Sequence, residues 1–157
     1  MSLIRNAIIG FILLAASTAG AFEAGDFPYP GFRVIDTPHG FGALIKKLNG
    51  AIKNNGMYAV TRASASKGAS GRGIVIPGNM VIGVYRNDFA LRMLEASVPA
   101  GVEAPLIFYV TEDAGKTATL SYRKPSAVFA PYGSADLDTM AGELDVIFAA
   151  IAAAAVK

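Results

Sequence analysis

Apolar residues recur along this chain at two spacings, and the switches between them mark out its elements. Phe41, Leu44, Ile45, Leu48 and Ile52 fall on one helical face, with Lys46, Lys47, Asn49 and Lys53 opposite. This predicts a helix over about 38–55, with Thr37 as N-cap, Pro38 at its first position and Gly56 closing it. A second helix begins at Asn87 or Asp88 and carries Phe89, Leu91, Met93 and Leu94, ending near Pro99. A third starts at Asp136 or Asp138 and buries Leu137, Met140, Ala141, Leu144, Ile147, Phe148 and Ile151. Its alanine-rich tail continues by propensity.

The other spacing is two. Residues 32–36, 57–65, 80–85, 106–111 and 117–123 read as strands, the last two as a hairpin turning at 112–116. The apolar run 74–76 reads as a strand joined to 80–85 by a type II turn at Pro77-Gly78-Asn79. Residues 67–73 (KGASGRG) read as a flexible loop, and 125–133 as a connector. The resulting order is β-α-β-β-α-β-β-α. Strands joined by short turns imply an antiparallel sheet with helices packed on one face, an α+β fold.

The first 21 residues stand apart. Arg5 precedes an apolar run from Ala7 to Ala16, and Ala19-Gly20-Ala21 fits a small-residue cleavage pattern. The expectation is a secretory signal peptide, a mature chain starting at Phe22 and a periplasmic location. The alternative is a retained anchor that holds the protein at the membrane, facing the periplasm. Residues 22–157 then form a single domain, whose lead-in (FEAGDFPYPG) lays Phe27 and Tyr29 onto it.

Composition removes several functions. The 157 residues include no cysteine, so disulfides, thiol catalysis and thiolate metal sites are excluded. A net charge of +2 without any basic block argues against nucleic-acid binding. The single histidine argues against a His-rich metal centre, and no cofactor or metal is expected.

The helix and its exit (FGALIKKLNGAIKNNGMYAV), the strand-to-helix corner (VIGVYRNDFALRMLEA), the hairpin (APLIFYVTEDAGKTATLSYRKPSAVF) and the last helix (LDTMAGELDVIFAAI) resemble the domain-of-unknown-function family numbered 302. The resemblance spans roughly 32–151. It implies a fold similar to the TATA-box-binding-protein class, a curved antiparallel sheet with helices on one side. DNA binding does not follow from such a likeness of fold, and no activity or site residue carries over.

Candidate chemistry gathers between Gly71 and Asp88. Arg72 in a glycine-rich loop suits an anion, although neither a Walker nor a dinucleotide motif is present. Asn79 lies at the Pro-Gly turn. Tyr85, Arg86 and Asp88 occupy a strand-to-helix corner, where a cap and a local ion pair compete with a ligand-facing donor pair. His39 is either a surface residue of the first helical turn or a general base. These six form the candidate ligand-binding set. The small residues of the last helix admit a homodimer.

Three functions follow as expectations. The first is a non-enzymatic periplasmic binding or interaction module that uses the 71–88 surface for a small anionic ligand or a protein partner. The second is a membrane-anchored accessory subunit of a membrane or redox complex. The third is an enzyme of unspecified reaction using His39, Arg72 and Arg86.

Overall fold

The structure is a computed structural model and describes residues 22–157. The expected signal peptide lies outside the described residues. Five strands form one antiparallel sheet: β1 (Phe32–Thr37), β2 (Tyr58–Ala63), β3 (Asn79–Tyr85), β4 (Leu106–Glu112) and β5 (Ala118–Arg123), in the order β1-β5-β4-β3-β2. Helices α1 (Phe41–Asn54), α3 (Asn87–Ala96) and α5 (Ala135–Ala155) are the long ones, a short α2 (Ala65–Ser70) links β2 to β3, and a short α4 (Pro125–Phe129) follows β5. The α+β architecture is the one the hydrophobic pattern predicts.

One face of the sheet carries the core. Ile82, Val84, Phe108, Val110, Leu120 and Tyr122 alternate inward and meet Leu44, Leu48 and Ile52 of α1, Phe89 and Met93 of α3, and Leu137, Leu144, Phe148 and Ile151 of α5. Phe108 stacks on Phe148 with ring centroids 4.8 Å apart. Ala152 and Ala155 are buried, so the alanine-rich tail packs on its own domain.

The α1 exit follows from its sequence. Gly56 takes φ +70°, its N–H donates to Lys53 O, and Met57 N–H donates to Ile52 O. That is a Schellman closure, which needs a residue tolerant of the left-handed region.

Several local expectations are corrected. Helix α1 starts at Phe41 after Gly40, not at Pro38. Thr37 is held in β1 opposite Ala118, donates its hydroxyl to Ala118 O and accepts from His39 N–H, so 38–39 form a bend. Residues 65–70, which take in the end of the expected 57–65 strand and most of the expected 67–73 loop, are helical because Ser64 Oγ accepts from Lys67 N–H at 3.1 Å. Residues 74–76 pair with no described strand, and Val75 is 94% exposed. Gly78 does not adopt positive φ, so no type II turn forms. Its missing β-carbon instead admits the Phe41 ring, which would stand 2.7 Å from one. The caps of α3 and α5 are Arg86 and Ser134, with Asp88, Asp136 and Asp138 in the first turns, where the helix dipole favours them. The connector after β5 contains α4 and a 3-10 turn, Ala130–Tyr132.

Candidate functional site

The six candidate residues separate into two ends of the sheet. Tyr85, Arg86 and Asp88 stand together where β3 passes into α3. Tyr85 and Asn87 side chains are 3.3 Å apart. Arg86 grips Asp88 with Nε and an Nη at 2.7 and 3.0 Å, and its guanidinium lies 4.3 Å from the Phe89 ring centroid. The Arg86 hydrogen bond holds the Asp88 carboxyl below the ordinary carboxylate range. The cleft at this corner has a volume of only about 30 Å³.

His39 and Asn79 occupy the opposite end. Thr37 pairs with Ala118, Ala118 with Glu112, and Glu112 N–H donates to Gly78 O, which places the β1–α1 bend beside the start of β3. The length of β3, roughly 20 Å at 3.3 Å per residue, separates this end from Arg86. Asn79 Oδ1 accepts from Ala65 N–H at 2.9 Å and fastens α2 to the sheet. Arg72 follows α2 and is exposed. His39, Arg72 and Arg86 therefore do not converge, and among the described residues no group of three or more potential ligands could hold a metal ion.

The larger feature lies on the sheet face away from the helices. Register puts Val34, Ser121, Tyr109, Val81 and Ala63 in one row across all five strands. Beside it, Phe32 pairs with Arg123 and Gly83 with Ile107. On the other side, Asp36, Thr119, Thr111 and Asn79 form a polar row. The lead-in covers one flank: Phe27 stacks on Phe32 at 3.8 Å, and Tyr29 lies under Arg123, 5.4 Å from its guanidinium carbon.

Between these walls is a cavity of about 680 Å³, lined by Phe27, Tyr29, Phe32, Val81, Ile107 and Tyr109 among others, with Pro105 and Glu103 from the α3–β4 connection. Its volume falls in the range of small-molecule sites. Polar groups are few. Arg123 Nε donates to Pro30 O at 3.1 Å. Glu103 accepts from the Tyr132 hydroxyl at 2.9 Å, and that bond raises the Tyr132 pKa above its ordinary value. Ser121 borders the cavity, has no exposed surface, and among the described residues its hydroxyl has no hydrogen-bond partner.

At the far end of this face the polar row meets the β4–β5 turn. The Thr119 hydroxyl lies 2.9 Å from Asp36 and 3.0 Å from Asp113. Glu112 accepts from Gly78 N–H at 2.9 Å, which lowers its pKa. A second hollow there, about 550 Å³, is bounded by Phe22, Phe27, Tyr109, Thr111 and the acids Asp26, Glu112 and Asp113.

Of the six candidates, only Asn79 reaches the large cavity. The residues missed carried a signal. In LIFYVT, Phe108 and Val110 alternate with Ile107 and Tyr109, so both faces of β4 are apolar. A sheet with one solvated face alternates apolar with polar instead.

These features define a class: an α+β domain with a helix-covered core on one sheet face and an apolar, aromatic-walled cavity on the other. The model of the family described as Domain of unknown function DUF302 matches residues 34–155, and the chain belongs to that family. The crystal structure of an uncharacterized conserved DUF302 protein from Bacillus stearothermophilus is similar, with a TM-score of 0.71 and 18% sequence identity, covering 80% of this chain and 98% of that one. That likeness is one of fold. No curated protein matches the chain.

Proposed function

We propose that this domain is an exported binding module that takes an apolar small molecule into the cavity on the open face of its sheet. The reading keeps the binding role expected from the sequence and moves the site from the 71–88 surface to β3–β5 and the lead-in. One observation carries it. Among the described residues, Ser121 is wholly buried and keeps an unpartnered hydroxyl beside a large cavity walled mostly by aromatic and aliphatic side chains. A buried polar group without a partner is costly, and a site that retains one calls for an explanation. Export rests on the charged, apolar and small-residue pattern of the first 21 residues. Among the described residues, no helix is long and apolar enough to cross a membrane.

The test uses the neutral fluorescent probe N-phenyl-1-naphthylamine. Saturable enhancement at one site per chain is expected. Ile107→Glu places a charge on a half-exposed position of the cavity wall (47% exposed). It should abolish the enhancement and leave thermal unfolding nearly unchanged. Undiminished binding by that variant, or no saturable binding by the native protein, would overturn the site. Export is checked separately: the native chain should begin at Phe22 by intact mass.

A further inference from the structure

We infer that the ligand of this cavity is an apolar carboxylic acid, anchored by Arg123. The inference rests on the cavity being the binding site and adds the chemistry of what enters it. Arg123 is half-buried on the row that also holds Phe32 and Ile107, and it lines the cavity. Its guanidinium is fixed from two sides. Nε donates to Pro30 O, and the Tyr29 ring lies against the planar group. Among the described residues, the terminal nitrogens have no protein acceptor. Among the described residues, Arg123 forms no ion pair, and it is the one arginine or lysine that lines the cavity. A planar fork held in place by its third nitrogen is suited to a bidentate carboxylate.

Charge along the face fixes the orientation. Asp26, Asp36, Glu112 and Asp113 stand at the β4–β5 turn end, with Lys116 paired to Glu112 as the cation among them. Arg123 stands at the other, about four residues or roughly 13 Å away along β1. An acid head group is repelled from the turn end and drawn to Arg123, and its apolar body then lies along Ile107, Tyr109 and Val81. Among the described residues, Glu103 is the one carboxylate lining the large cavity, and one of its oxygens accepts from the Tyr132 hydroxyl. An amine head group would be drawn to the acidic turn end instead, so the Arg123 end of the cavity selects the acid.

The experiment compares dodecanoate with dodecan-1-ol at pH 8 on the full chain, by displacement of N-phenyl-1-naphthylamine and by calorimetry. The native protein should prefer the acid at least tenfold. Arg123→Met should bring the preference below threefold, and Arg123→Lys, which keeps the charge but not the fork, should fall between. Circular dichroism melts confirm that each variant is folded. Equal affinity of the native protein for acid and alcohol would overturn the carboxylate inference and leave the cavity reading standing. A preference that persists in both variants would show that Arg123 is not the anchor. Failure of both compounds to bind, with the neutral probe bound normally, would reject the linear acid; failure of all three would remove the cavity as a site.

Discussion

The ring of Pro105 lies over the bare α-carbon of Gly83, so close that a β-carbon at 83 would stand 2.7 Å from its Cγ. The Thr61 hydroxyl crowds the same space from β2. Gly83 sits mid-strand in β3, opposite Thr61 and Ile107, where glycine is otherwise unfavourable. Three elements approach each other because this position has no side chain.

Gly83→Val should therefore be badly tolerated. The added isopropyl group must push aside a proline ring and a neighbouring strand. Overpacking of this kind costs about 1–3 kcal/mol, and more where a backbone has to shift. Urea unfolding gives the value, and an unchanged midpoint would contradict the packing at β2, β3 and Pro105.

Ser121→Ala is expected to act in the opposite direction. The hydroxyl is buried and unpartnered in the free protein, so its removal relieves a desolvation cost. A gain of about 1 kcal/mol is expected from the worth of a buried unsatisfied group. The measurement is chemical denaturation without ligand, and a clear loss of stability would show that the hydroxyl has a partner after all.

Asp145 ties α5 to α4 and sets a pH dependence. It accepts from Ser126 N–H at 2.9 Å and from the Ser126 hydroxyl at 2.7 Å, and it pairs with Lys124 at 3.1 Å. Burial pushes its pKa up, but the Ser126 bonds and Lys124 outweigh burial and hold it below the ordinary 3.8. A folded-state pKa below the unfolded one means that the stabilisation is complete above the unfolded value, about 3.9. It is lost as pH falls through the lower folded value. Asp145→Asn should cost about 1.5–3 kcal/mol at pH 7, the range for hydrogen bonds to a charged group. The difference from the native protein should shrink below pH 4. Urea curves at pH 7 and pH 3 test both statements, and a constant difference would assign the effect to packing alone.

The parts of this fold that were legible in the sequence are those with long, unambiguous periods. The Leu44–Leu48–Ile52 stripe, the Gly56 exit and the alternation of 117–123 each specify an element without tertiary help. Short pieces were not legible. Six residues of α2 hold too few apolar positions to show a period, and its start depends on Ser64 and on Asn79 arriving from another element. Ile74, Val75 and Ile76 have strand-like side chains but no ladder partner, because propensity does not supply a neighbour. The cavity was hidden for a different reason. Phe32, Val81, Tyr109 and Arg123 come from four strands, and only their register unites them.

Consider, finally, the order in which the chain is made. β1 is the first strand synthesised, yet in the sheet it pairs only with β5, the last. Strands β2, β3 and β4 can assemble as soon as β4 is available, whereas β1 must wait for the hairpin to be completed. Pairings between distant segments carry a high closure cost and form slowly. Phe27 stacks on Phe32 of β1, so the aromatic flank of the cavity is put in place by that same late step. A chain interrupted before β5 would therefore keep Val81, Ile107 and Tyr109 as one wall of the cavity but lack the flank that Phe32 and Arg123 build, and it would lack α5 from the core as well.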